Sequence, residues 1–115
     1  MINFACKQFD LEETIRCSFN LTKAEFKIFK FLMKNNTKRF ESKELAKELH
    51  LELSTVQRSM KKMSENGIII RSKVNLESAG YTYSYCICEK YKIKNKVKEI
   101  IQSQTKKFEE EIEKW

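Results

Sequence analysis

Residues 42–67 constrain this chain more than any other stretch. Two short amphipathic segments, each opened by a serine, run up to a glycine and are followed at once by the triplet Ile68 to Ile70. Ser42 can cap a helix in which Leu45, Ala46 and Leu49 point inward while Lys43, Lys47 and Glu48 stay wet. His50 to Leu53 then forms a turn, and Ser54 caps a second helix, 55–66, whose apolar positions Val56, Met60 and Met63 follow the i, i+4, i+7 rule. Gly67 stops that helix, because a residue without a Cβ enters the left-handed conformation without penalty. Beyond it, Ile68 to Ile70 and the alternating Tyr81, Tyr83, Tyr85 and Ile87 read as two strands. The polar stretch between them, Ser72 to Gly80, is too long for a two-residue hairpin turn.

The flanks are helical. Phe9, Leu11, Ile15 and Phe19 give a stripe over residues 9–19, with Asp10, Glu12 and Glu13 at the end where a helix dipole favours acids. Thr22-Lys-Ala-Glu25 is a capping box, and Phe26, Ile28, Phe29, Leu32 and Met33 supply the buried face of the helix it opens, which ends at Asn35 to Thr37. From Lys90 to Trp115 nothing interrupts a long helix with Val97, Ile101, Phe108, Ile112 and Trp115 on one side. With no proline and only two glycines in 115 residues, the expected class is mainly α with a small β-hairpin. The order of elements is that of a winged helix-turn-helix with an N-terminal helix and a long C-terminal helix. We therefore expect residues 1–89 to form the winged-helix domain, with the helix-turn-helix at 42–66 and the wing at 68–88, and residues 90–115 to form a dimerisation helix.

The formal net charge is +7, and most of the excess lies in residues 34–73, which carry ten basic and five acidic side chains. Such an excess favours an anionic partner, and the major groove of duplex DNA is wide enough to admit an α-helix. On helix 55–66, Arg58 can bond bidentately to guanine and Gln57 to adenine. Ser54 and Thr55 suit phosphate or thymine-methyl contacts, while Lys43, Lys61, Lys62, Arg71 and Lys73 would neutralise phosphates and position rather than specify. An apolar stripe of Val97, Ile101, Phe108, Ile112 and Trp115 left in water would be costly, and pairing with a second copy removes it.

Ser42-Lys-Glu-Leu-Ala-Lys-Glu-Leu and Leu53-Ser-Thr-Val-Gln-Arg-Ser-Met-Lys-Lys-Met-Ser-Glu-Asn-Gly-Ile-Ile-Ile-Arg resemble the winged-helix core of prokaryotic MarR-like and TrmB-like transcriptional regulators. The likeness covers about residues 20–88, and its second stretch is the more specific. It implies operator binding as a dimer, a reading role for Thr55, Gln57, Arg58, Lys61 and Lys62, and wing contacts from Arg71 to Lys73. Full-length TrmB-like proteins continue into a large sugar-binding domain that this sequence does not contain, so the resemblance implies no sugar effector.

Other functions find less support. Cys86 and Cys88, two apart on a strand, share a face and could meet one soft ion, as in metal-sensing ArsR-like repressors, but no His or acidic cluster completes a ligand set and the single histidine is His50. Buried thiols in a reducing compartment are the expectation for Cys6, Cys17, Cys86 and Cys88, with no metal and no cofactor. A lone histidine, without a Gly-rich phosphate loop or a nucleophile motif, argues against an enzyme. A winged helix used for protein contact in transcription machinery is the remaining alternative. No run of about 18 apolar residues exists and the first ten residues lack a signal-peptide core, so the expected setting is cytoplasmic with no membrane partner. Effector and operator are not legible.

Overall fold

The computed structural model describes residues 10–115 and, before them, the backbone of residues 2–4 and 7–9. In chain order the elements are β1 (Ile2–Phe4), β2 (Lys7–Phe9), α1 (Leu11–Ser18), α2 (Lys23–Lys34), α3 (Ser42–Leu49), α4 (Leu53–Glu65), β3 (Ile69–Asn75), β4 (Tyr81–Ile87) and α5 (Lys90–Lys114). They fall into two compact units: Thr22–Lys90, and a second made of Met1–Leu21 with Tyr91–Trp115, so that α1 groups with the terminal helix.

In the larger unit, α4 is packed against α2, α3 and β3. Ile28 and Leu32 of α2, Leu45 of α3, Val56, Met60 and Met63 of α4, and Ile68 are all fully buried. The capping box at the start of α2 forms as expected, with the Glu25 amide donating to the Thr22 hydroxyl at 3.2 Å and the Thr22 amide to the Glu25 carboxylate at 2.8 Å.

Neither serine expected to cap a helix does so. Glu41 precedes α3, its amide donating to the Glu44 carboxylate at 3.0 Å, and Ser42 is already helical. Glu52 precedes α4, its carbonyl accepting from the Val56 amide at 3.1 Å, so the helix starts at Leu53 rather than after Ser54. The turn between them is shortened because His50 takes the left-handed conformation at φ 54° and closes α3 itself. Gly67 closes α4 with φ 74°, the role assigned to it.

β3 and β4 pair antiparallel from Ile69↔Ile87 to Asn75↔Tyr81. The polar run Ser72 to Asn75 is therefore strand, and only Leu76 to Gly80 is loop. Polarity there reflects the hairpin's solvent exposure, since most of β3 past Ile69 is exposed. The tip turns through Ala79 and Gly80, both at positive φ, with the Leu76 amide donating to the Gly80 carbonyl at 3.1 Å. Phe40, between α2 and α3, exchanges two backbone hydrogen bonds with Tyr85, at 2.9 and 2.8 Å, and so adds a third strip to the hairpin.

In the smaller unit β1 and β2 form an antiparallel pair that the sequence reading missed, and Phe9 belongs to it rather than to a helix. Asp10 caps α1 at its true start, its carboxylate accepting from the Glu12 amide at 3.0 Å. In α5, Ile93 and Val97 are buried, whereas every residue from Ile101 to Trp115 is exposed.

Candidate nucleic-acid interface

On α4 the buried residues Val56, Ser59, Met60 and Met63 occupy one side, and Ser54, Gln57, Arg58 and Lys61 are exposed on the other. Positions 54, 57, 58 and 61 are spaced three, four and seven apart, so they form a single outward stripe. Thr55 is half-buried, and its carbonyl accepts from the Ser59 hydroxyl at 2.8 Å. Arg58 lies back along its own helix, its Nε donating to the Ser54 carbonyl at 3.4 Å.

A groove runs between this stripe and the hairpin. Its walls include Lys43 of α3, Gln57 and Lys61 of α4, and Arg71, Tyr81, Tyr83 and Tyr85 of the hairpin, with Glu41 as the single acid. Four of the nine residues expected to meet DNA are thus gathered around one concavity from three separate elements. Lys73 is exposed on the same face of β3 as Arg71, two residues along. Arg39, not anticipated, donates to the Ser72 hydroxyl at 2.7 Å and ties the linker before α3 to the hairpin.

Lys62 departs from expectation. Its ammonium donates to Glu25 Oε1 at 2.8 Å, the same oxygen that accepts the Thr22 amide at 2.8 Å. It therefore faces α2 and not the outward stripe. Burial pushes the Glu25 carboxyl up, but the hydrogen bond from Lys62, the Thr22 amide and the ammonium charge outweigh it and hold that carboxyl below its ordinary value. Glu25 is nearly buried while Lys62 keeps about a third of its side chain exposed, at 8% and 36%. A contact with DNA would require Lys62 to leave a partner that burial makes costly to abandon.

The tyrosines of β4, read from the sequence only as an alternating strand, have partners that sequence alone did not reveal. The Arg71 guanidinium carbon sits 4.3 Å from the Tyr83 ring centre and the Lys73 ammonium 4.0 Å from that of Tyr81. The thiols turn to different carbonyls, Cys88 to Gly67 at 3.1 Å and Cys86 to Ile87 at 3.4 Å. Among the described residues no group of three or more His, Cys, Asp or Glu is placed to hold a metal ion.

Of the residues expected at a dimer interface, Val97 is buried within its own chain and offers nothing to a second copy. Ile101, Phe108, Ile112 and Trp115 are exposed. Among the described residues no helix is long and apolar enough to cross a membrane.

A three-helix core closed by a two-stranded hairpin, with a polar helix face beside it, defines the winged-helix class, and comparison with known proteins carries this further. Residues 15–103 match the family described as sugar-specific transcriptional regulator TrmB, and the chain belongs to that family. It is similar over its whole length to a Methanosarcina mazei Go1 protein described as a "possible transcriptional regulator", with 41% identity, 96% of that chain covered and a TM-score of 0.93. It is also 26% identical to protein MJ1503 of Methanocaldococcus jannaschii over 98% of this chain and 86% of that protein. A MarR family protein from Bacillus stearothermophilus shares the fold, with a TM-score of 0.52 at 20% identity over 84% of this chain and 63% of that one. The chain is accordingly a TrmB/MarR-like winged-helix regulator, in a family of transcriptional regulators rather than enzymes.

Proposed function

We propose that this protein is a sequence-specific, double-stranded-DNA-binding transcriptional regulator that acts as a homodimer, with α4 as its reading helix. The observation that carries the proposal is the outward stripe Ser54, Gln57, Arg58 and Lys61 opening onto a groove that adds Lys43 and Arg71. An α-helix of this kind fits the major groove, and amide and guanidinium groups match the edges of adenine and guanine. Gln57 and Arg58 read bases, Ser54 and Thr55 touch backbone or thymine methyl, and Lys43, Lys61, Arg71 and Lys73 neutralise phosphates. Lys62 is withdrawn from this set because it is engaged by Glu25.

The dimer is supported by the far half of α5. Phe108, Ile112 and Trp115 are 67%, 64% and 104% exposed and recur at four- and three-residue steps, so they form one apolar edge. Ile101 and Phe108 also line an open groove between α5 and the Asp10 to Ser18 face of α1. A second copy covering these side chains would recover roughly 25 cal/mol per Å² of apolar surface. A two-fold pair would set two reading helices about one DNA turn apart.

The test is footprinting on the gene's own upstream region, followed by titration of the protected duplex at several salt concentrations. Arg58→Ala is expected to cost about 1–3 kcal/mol on the preferred site and to relax its sequence preference. Lys61→Ala is expected to weaken all duplexes alike and to flatten the salt slope by about one unit. Failure of the wild-type protein to bind any duplex at low ionic strength would end the proposal.

A further inference from the structure

The register of the hairpin puts Arg71, Lys73 and Asn75 on the same face as Tyr85, Tyr83 and Tyr81, since directly opposed residues of an antiparallel pair project to one side. Along that face the contacts are diagonal: Arg71 over Tyr83, Lys73 over Tyr81, and the two rings edge-on to each other at 5.4 Å and 73°. Cations and rings thus alternate in a ladder from the groove wall toward the tip. Tyr81 is 53% exposed, so hydrophobic burial does not account for its place there.

A long basic side chain on a two-stranded ribbon is ordinarily free to sweep through many rotamers, and ordering it at a phosphate costs entropy. A ring that attracts the cation face-on confines it beforehand, and the attraction does not consume the outward N–H donors. We infer that Tyr81 and Tyr83 are positioning residues for DNA recognition: each holds one hairpin cation, Lys73 or Arg71, aimed at the duplex backbone, which fixes how the hairpin and α4 are phased on the same site. The inference rests on the DNA-binding reading above and names residues that reading does not use.

The experiment is fluorescence anisotropy of the full chain with its preferred duplex, selected from a random pool, at several salt concentrations. The variants are Tyr81→Leu with Tyr83→Leu, Tyr81→Phe with Tyr83→Phe, Lys73→Gln, and Lys73→Gln added to the leucine pair. Loss of two exposed cation–π contacts is expected to weaken binding about five- to thirtyfold with the salt slope unchanged, because both cations still reach phosphates. Phenylalanine keeps the ring face and is expected to restore binding to within about twofold. Lys73→Gln alone is expected to flatten the slope, and to cost less when added to the leucine pair than in the wild-type chain. The inference is overturned if the leucine pair binds normally, if phenylalanine fails to rescue, or if the effects of ring and cation simply add. Should the leucine pair prove misfolded by circular dichroism, the same comparison with Tyr81→Leu and Lys73→Gln singly and together decides the matter at one rung. Wild-type protein that binds no duplex defeats the regulator reading itself, whereas wild-type binding with indifferent tyrosines defeats only this inference.

Discussion

Glu25→Ala removes one oxygen that does two jobs, receiving the Thr22 amide and the Lys62 ammonium, each at 2.8 Å. Breaking a fully buried ion pair by deleting one partner costs about 3–5 kcal/mol. That is an upper bound here, because Lys62 is 36% exposed and its stem can turn toward water once released. The capping half of the loss contributes about 0.5–1 kcal/mol. We expect a total of about 2–3 kcal/mol, or roughly 8–12 °C in Tm for a chain of this length. Thermal and urea unfolding at one fixed protein concentration measure it, since the apparent stability of the proposed dimer would shift with concentration. Lys62→Met is expected to cost about 1–3 kcal/mol by stranding the carboxylate, and Glu25→Ala with Lys62→Met much less than the sum of the two single changes. The pair also carries a pH signature. Because the folded carboxyl sits below its unfolded value, the stabilisation is complete above about pH 4.3 and is lost as pH falls through the lower folded value. Glu25→Gln should therefore trail the wild type at neutral pH and converge with it in acid. A coupling below about 0.5 kcal/mol in the cycle would refute this account of the pair.

Two further outcomes are expected. Phe108→Asp with Ile112→Asp should reduce the light-scattering mass to that of one chain, since both side chains are exposed on the far half of α5; an unaltered mass removes this helix from the interface. His50→Gly should raise Tm by about 2 °C, because relief of a left-handed backbone at φ 54° exceeds the added unfolded-chain entropy by about 0.5 kcal/mol. A fall in Tm would mean that the imidazole supports the turn.

What could be read from the sequence was what depends on period and composition. The inward set Val56, Met60 and Met63, the capping box at Thr22 and the stop at Gly67 are local signals, each decided within a turn or two of helix. The helix starts were misplaced by one or two residues because Glu41 and Glu52 stand before the serines, and a serine caps only when the backbone puts it in the non-helical position. Ser72 to Asn75 looked like loop because their strand is wet on both sides, which removes the alternation that betrays a half-buried strand. The sequence does not separate Lys62 from its neighbour Lys61, because the two have the same chemistry and adjacent helical positions point about 100° apart, so only the location of Glu25 on another helix distinguishes them. The cation–ring ladder was hidden for the same reason: Arg71 and Tyr83 meet only once the five-residue tip fixes the register.

The inward lysine bears on the proposed specificity as well as on stability. Two of the three apolar side chains that seat α4 are methionines, unbranched and able to follow an irregular cavity, so they fix the depth of the helix better than its rotation. Rotation matters more to the proposed reading, in which Gln57 and Arg58 face base edges from the two borders of the outward stripe, because a turn of a few tens of degrees would carry one of them off it. The bond from Lys62 to Glu25 is directional and anchored to the start of α2, so it adds a restraint against turning of α4 about its own axis. Phosphate neutralisation by exposed lysines tolerates such a turn, whereas bidentate base contacts do not. Glu25→Gln, which keeps the shape but surrenders the charge, is thus expected to leave nonspecific duplex binding and its salt slope nearly intact while reducing preference for the selected site. If affinity for the two kinds of duplex fell in equal proportion, rotational seating by this pair would be the wrong explanation for its place beneath α4.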